Sequence, residues 1–269
     1  MVKGNKIGEG STAEVFSIAH DKVAKVFYEH IQESQIKGEM NISAKIASLG
    51  LNVPAIYGEG DIEGKKAIIY EKIDGFPITK LLEKGLLSAI RSVNTMVSLQ
   101  IYIHSKEAGD LPPLKFSLEN RIKRAESLSG REKERIIDYL QTLPDGKQVC
   151  HGDYHPDNIL ISMHGKFVID WADSTAGSPL ADLARSLLIL QYGGFPEKVT
   201  KRMYFAERIK RRMIARYYIY LYKKHLPFKR ESFQQWLLPV AAGRLSEKLP
   251  PKEIEELLSF VRRQLNSCD

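Results

Sequence analysis

The run His151-Gly152-Asp153-Tyr154-His155-Pro156-Asp157-Asn158-Ile159-Leu160 constrains this chain more than any other stretch. It sets an Asp and an Asn five residues apart, directly before a strand-like Ile159–Ile161. A second strand-like run, Phe167-Val168-Ile169, ends in Asp170, twelve residues past Asn158. Met163-His164-Gly165-Lys166 between the two runs predicts a tight hairpin. Taken singly, His-Gly-Asp is an ordinary turn and Asn158 a helix cap or Asx turn. The joint spacing of Asp153, Asn158 and Asp170 is what carries information.

The first 73 residues read mostly as strands, at 2–8, 13–19, 22–28, 53–57 and 66–71. One helix interrupts them, near 32–49, with Ile36, Met40, Ala44 and Ala47 on its apolar stripe and Gly50 as its stop. Asp74-Gly75-Phe76-Pro77 reads as a hinge. Beyond it the pattern is mainly helical, at 86–108, 117–128, 131–142, 180–192, 198–224, 231–247 and 251–267. The expected fold class is therefore α+β in two lobes: an antiparallel sheet lobe over 1–73 and a mainly helical lobe over 74–269, with the hinge near 71–77. A chain of 269 residues has ample length for such a core.

Ile7-Gly8-Glu9-Gly10-Ser11-Thr12-Ala13-Glu14-Val15 places Gly8, Gly10 and Ser11 where two strands would turn over a phosphate chain. Glycine permits such a turn and lets backbone amides approach phosphate oxygens closely. Such turns are common, and weight comes from Lys25 on the following strand. Alternation puts Val23, Lys25 and Phe27 on one face, so Val15 and Val23 can roof an adenine while Lys25 reaches the α- and β-phosphates. Lys25 needs a carboxylate to hold it: Glu39, on the face of Ile36 and Met40, is the better candidate and Glu33 the other. Both could instead be exposed helix charges.

With Lys25 upstream, the later string supplies what phosphoryl transfer from Mg-ATP requires. Asp153 suits the catalytic base that orients a hydroxyl and takes its proton. Asn158 and Asp170 suit Mg2+, a hard cation that prefers oxygen ligands. His151 is expected to brace the loop. ATP and Mg2+ are thus the expected cofactors.

The bulk numbers exclude other classes. Apolar content of 43% with 27% charge is ordinary for a globular chain. No run approaches membrane-helix length, and the first residues carry no signal-peptide core. Two cysteines, Cys150 and Cys268, make no disulfide framework and suit a reducing cytoplasm. The net charge of +7 is uneven: residues 1–73 hold nine Lys and ten acids, so the excess lies beyond them, much of it in Lys201–Arg230. Such a segment can attract a polyanion. Ile209, Met213, Tyr217 and Tyr220 recur at helical spacing, however, which favours a helix with a solvated basic face and these side chains turned inward. A nucleic acid is not expected as a partner.

The strings resemble those of the aminoglycoside phosphotransferase and choline kinase-like superfamily of small-molecule kinases. His151 through Asn158 matches its catalytic string, and Val168-Ile169-Asp170-Trp171-Ala172 and Gly177-Ser178-Pro179-Leu180-Ala181-Asp182-Leu183-Ala184 match its following motifs. Ala13 stands where the kinase glycine pattern has a third Gly, and Asp157 where Gly is frequent. The resemblance covers nearly all of residues 1–190. It implies a protein-kinase-like fold, ATP at the lobe junction, and a hinge of Glu71, Lys72 and Ile73 whose backbone bonds the adenine.

Asp182 lies only twelve residues past Asp170, at the start of a Leu-rich helical run. A protein kinase needs an activation segment of a few tens of residues there. The acceptor is therefore expected to be a small hydroxylated molecule. Choline would need an aromatic cage, for which Trp171, Trp236, Tyr154 and Tyr204 are available, although each also reads as core. Asp173 and Glu247 are the candidate substrate contacts, and Asp182 is expected to tie down the catalytic loop. A nucleotide-binding regulator without transfer activity is the reading from another class.

Overall fold

The computed structural model describes residues 4–193 and 200–266. Residues 2–3 of the first expected strand, 198–199 and 267 of two expected helices, and Cys268 lie outside the described residues. The N-terminal segments pair into an antiparallel sheet of β1 (Lys6–Glu9), β2 (Ala13–Ser17), β3 (Lys22–Phe27), β4 (Ile56–Ile62) and β5 (Lys65–Glu71), in the order β1-β2-β3-β5-β4. Period-two alternation gives this sheet two apolar faces. Phe16, Ala24, Val26, Ile62, Ala67 and Ile69 cluster on one. Ala13, Phe27 and Ile68 cluster on the other with Ile36 of α1 (Glu33–Ser48).

Three expectations shift here. The fourth strand begins at Ile56 rather than 53, because Pro54 has no N–H for a ladder, and it runs on to Ile62. The buried stripe of α1 is Ile36, Glu39, Ser43 and Ile46, while Ala44 and Ala47 are exposed. Two polar residues hold the inward positions because Lys25 and Tyr70 meet Glu39 there. The expected hinge at 74–77 contains a strand, β6 (Gly75–Pro77), which pairs with β8 (Ile159–Ser162). A Cβ on Gly75 would lie 2.6 Å from the Ile161 carbonyl oxygen, so this approach requires glycine.

The remaining chain adds α2 (Thr79–Leu82), α3 (Leu86–His104), α4 (Leu114–Arg124), α5 (Gly130–Thr142), β7 (Gln148–Cys150), β9 (Gly165–Val168), β10 (Thr175–Gly177), α6 (Pro179–Tyr192), α7 (Lys201–His225), α8 (Arg230–Arg244) and α9 (Pro251–Asn266). β8 and β9 form the expected hairpin. α4 starts three residues earlier than expected, with Pro113 as its N-cap. In α7 the expected inward stripe is overturned: Ile209, Met213 and Tyr220 are exposed. The inward face carries Ala215, Tyr218, Leu221 and Tyr222 instead. Tyr218 and Tyr222 reach polar partners on α3, Gln100 and His104, and these bonds fix the rotation of the helix. No described helix is long and apolar enough to cross a membrane.

The chain divides into two compact units, residues 1–80 with 156–173, and residues 81–155 with 174–269. The β8–β9 hairpin thus groups with the N-terminal sheet, whereas a division at residue 73 assigns it to the helical lobe. Its β6 pairing and the bond from the Val168 N–H to the Asn52 carbonyl account for that grouping.

Candidate active site

In the first unit the sheet and α1 converge on Lys25. Lys25 lies opposite Ile68 on β5, and its side chain emerges on the α1 face. Its Nζ donates to Glu39 Oε1 at 2.7 Å and to Asp170 Oδ1 at 3.0 Å. Burial disfavours the ammonium, but Asp170 and Glu39 outweigh it and hold the lysine pKa above its ordinary value. Burial pushes the Glu39 pKa up against the pull of Lys25. The Tyr70 hydroxyl donates to the same Glu39 oxygen at 3.2 Å. Glu33 is exposed and pairs with Lys37 on its own helix, so Glu39 is the lysine's partner.

Asp170 sits at φ 63°, a left-handed conformation uncommon outside glycine. That kink follows directly on β9 and turns the carboxylate to Lys25. Asn158 ends a 3₁₀ turn, Pro156–Asn158, and is buried. Its carbonyl accepts from the Ile169 N–H at 3.0 Å, which sets Asn158 beside the residue preceding Asp170. The pair supplies an amide and a carboxylate, hard oxygen donors of the type that Mg2+ takes alongside phosphate and water. Exposed Asp157 accepts from the Thr79 hydroxyl at 2.5 Å, pinning the start of α2.

In the second unit half-buried Asp153 is held by two cationic neighbours. Its Oδ1 accepts from Arg185 Nη2 at 3.0 Å, and its Oδ2 lies 3.4 Å from His155 Nε2. Burial favours the neutral acid, but His155 and Arg185 outweigh it and keep the carboxyl far below the usual carboxylate range. His151 is buried and braces the loop, its Nδ1 accepting from the Asp153 N–H at 3.1 Å. Asp182 accepts from the Gly152 N–H at 2.7 Å and so ties the loop down. The other Asp182 oxygen faces His104 Nε2 at 3.0 Å and the Gln100 amide at 3.1 Å.

Residues 3–214 match the phosphotransferase enzyme family. The chain belongs to that family. No curated protein matches the sequence. Among solved structures, a thermostable mutant of aminoglycoside phosphotransferase APH(4)-Ia, in ternary complex with AMP-PNP and hygromycin B, is similar at TM-score 0.66 and 14% identity, over 98% of this chain and 93% of that one. Amicoumacin kinase hAmiN, in complex with AMP-PNP, Ca2+ and Ami, is similar at 0.61 and 14%, over 97% and 87%. Choline kinase from Cryptosporidium parvum Iowa II is similar at 0.61 and 14%, over 98% and 88%. The expected fold class and superfamily are those of this phosphotransferase.

Other expected site residues of the phosphotransferase fall as follows. Gly8 lies in β1 against Val15, while Gly10 and Ser11 are exposed in the turn, where the Gly10 N–H bonds the Ala13 carbonyl at 2.9 Å. Neither glycine adopts a positive φ, so small size is what distinguishes the turn. Ala13 packs against Phe27, Ile36 and Ile68, which is why a side chain is accommodated there. Val15 and Val23 are half-buried in adjacent strands, and Glu71 and Ile73 follow at the end of β5. The Glu71 and Lys72 N–H groups already donate, to Ala55 and Asp21. Asp173 is exposed. Glu247 is engaged by Arg185 at 2.5 Å and Arg121 at 3.2 Å. Arg185 is the residue that motif reading misses; a lone cation in the apolar run Leu183–Leu190 was the available signal.

Proposed function

We propose that the protein transfers the γ-phosphoryl group of ATP to a hydroxyl of a neutral or anionic small molecule, with Mg2+. The observation that carries this reading is Lys25 held by both Glu39 and Asp170, one residue past the backbone bond that sets Asn158 beside Ile169. Lys25 neutralises the α- and β-phosphates, Val15 and Val23 cover the adenine, and Gly8, Gly10 and Ser11 line the turn over the phosphates. Two of the three hinge N–H groups are committed within the fold, so the N–H donated to adenine is that of Ile73. Asn158 and Asp170 hold the metal, which when bound neutralises charge on the phosphates. Asp153 orients the acceptor hydroxyl and receives its proton as the oxygen–phosphorus bond forms and ADP departs. A carboxylate of depressed pKa does this late, after bonding to phosphorus has acidified the hydroxyl.

A small acceptor is supported by the chain after Asp170. Eight residues separate it from Pro179, where α6 begins, and β10 takes three of them. No length remains for a peptide platform. A polycationic acceptor is disfavoured because Glu247, Glu253 and Glu256 are each paired with arginine, at Arg185 and Arg121, at Arg244, and at Arg208. A choline-type cage is disfavoured because Trp171, Trp236 and Tyr154 are buried.

The test is Mg-dependent ADP release from purified protein with a panel of hydroxylated acceptors, covering aminoglycosides, choline, aminosugars and methylthioribose, with Asp153→Asn as control. Stimulation by one acceptor, lost in the variant, supports the reading and names the class. A protein that binds Mg-ATP but is stimulated by none, and whose biological effect survives Asp153→Asn, is the regulator instead. Failure to bind Mg-ATP sinks the proposal.

A further inference from the structure

Arg185 stands in α6 among Leu183, Ala184, Leu187 and Leu188, all buried, and is itself buried. A guanidinium in such a place is costly unless carboxylates answer it. Two do, and each takes its own nitrogen: Glu247 on Nη1 at 2.5 Å and Asp153 on Nη2 at 3.0 Å. The planar fork of arginine fixes the angle between its two partners, which a lysine's single nitrogen does not. Glu247 is held in turn by Arg121, and the neighbouring Arg244 is answered by Glu253. Three arginines thus answer three carboxylates, the proposed base among them.

We propose that Arg185 is a positioning residue for Asp153: Nη2 fixes the Oδ1 of the carboxylate so that Oδ2 is presented to the attacking hydroxyl, and Glu247 sets the guanidinium at that angle through Nη1. The inference rests on the reading of Asp153 as proton acceptor. It changes the role of Glu247 from substrate contact to support for Arg185. The groups that face Asp153 are His151 and His155 from its own loop, Arg185 from α6, and Arg244 from α8, with Glu247 behind Arg185. Of these, Arg185 holds Oδ1 through one arm of a rigid fork whose other arm is fixed by Glu247, while His155 faces Oδ2 at the longer distance of 3.4 Å. Without it Asp153 loses orientation, and its pKa rises, with His155 still pulling it down.

The test uses the full-length protein with Mg-ATP and water as the acceptor, reading basal ADP release across pH in wild type, Asp153→Asn, Arg185→Gln, Arg185→Lys and Glu247→Gln. Arg185→Gln should lower turnover about 10- to 100-fold with the KM for ATP unchanged, as a displaced catalytic group does. It should also gain an acid limb, since the ionised base is required and activity falls as pH drops through the raised pKa. Arg185→Lys should restore part of the turnover and move the limb back toward acid. Glu247→Gln should slow the water reaction about threefold. A residue that merely contacts the organic acceptor would leave that reaction untouched. Arg185→Gln within twofold of wild type, or a loss seen only in the KM for ATP, overturns the proposal while Asp153→Asn remains inactive. Activity retained in Asp153→Asn overturns both this inference and the reading beneath it. Should circular dichroism show Arg185→Gln unfolded, Glu247→Gln decides alone: slowed hydrolysis supports the proposal, and an unchanged rate overturns it.

Discussion

Two charged trios in different parts of the chain share one plan and differ in one residue type. Lys25 lies between Glu39 and Asp170, at 2.7 and 3.0 Å; Arg185 lies between Glu247 and Asp153, at 2.5 and 3.0 Å. In each, a largely buried cation grips one supporting carboxylate and one carboxylate with a proposed chemical role. The lysine does so from a single nitrogen that can be shared with an incoming anion. The arginine does so from two nitrogens whose separation is fixed. A lysine suits a site where a phosphate must enter; an arginine suits one where a carboxylate must not turn.

The comparison breaks most readily at Asp153. Asp153→Asn should cost about 10²- to 10⁴-fold in acceptor-stimulated turnover, the range for loss of a general base, measured as ADP release. A loss below tenfold would leave the second trio as packing alone. At Lys25 the expected loss is about 10²-fold in kcat/KM for Lys25→Met, from removal of a fixed charge at the phosphates. Lys25→Arg should fail to restore it, because a fork cannot replace a single nitrogen, and recovery to within threefold would make the two cations interchangeable.

The second trio stands on a loop tethered by Asp182. Asp182→Ala strands the Gly152 N–H, the Gln100 amide and His104, and should cost about 3–5 kcal/mol in a denaturant melt. Burial raises the Asp182 pKa, but His104 and His151 with the Gly152 N–H outweigh it and leave it lowered. The stability Asp182 contributes is therefore full above the unfolded value, about 4, and drains away as pH falls through the lower folded value. Asp182→Asn should flatten that acid dependence. The smallest effect is expected away from both trios. Glu132, its pKa lowered to about 2 first by Arg262, closes a capping box with Ser129 at the start of α5. Glu132→Gln should cost about 1 kcal/mol or less in the same melt.

The Lys25–Glu39 half of the first trio is legible in the sequence because strand alternation and helix period are local rules that put the two on facing surfaces; the Asp170 contact, 145 residues from Lys25, is not. Even so, the apolar pattern misplaced the rest of α1. Ala44 and Ala47 look like core residues, but Glu39 and Ser43 occupy the inward face because a lysine and a tyrosine on the sheet meet that side of the helix. In α7 the same error runs the other way. Tyr218 and Tyr222 turn inward for hydrogen bonds with α3, which leaves Ile209, Met213 and Tyr220 outside. The second trio was hidden for a different reason. Asp153, Arg185 and Glu247 lie 32 and 62 residues apart, and no periodicity connects them. Gly75-Phe76-Pro77 was hidden likewise, since its partner strand comes more than eighty residues later.

The border between the two compact units passes between His155 and Pro156, inside the His151–Leu160 string, and again between Asp173 and Ser174. Asp153 is thereby assigned to one unit, and Asn158 and Asp170 to the other, along a single short stretch of chain. The unit that carries Lys25 is consequently not a severable module. A fragment cut after residue 80 would leave β6 without its neighbour and would carry neither Asn158 nor Asp170. A chimaera that exchanged this half between two relatives would need three junctions, one near residue 80 and two bracketing 156–173, and recombination at a single point would separate the lysine from the carboxylate it grips.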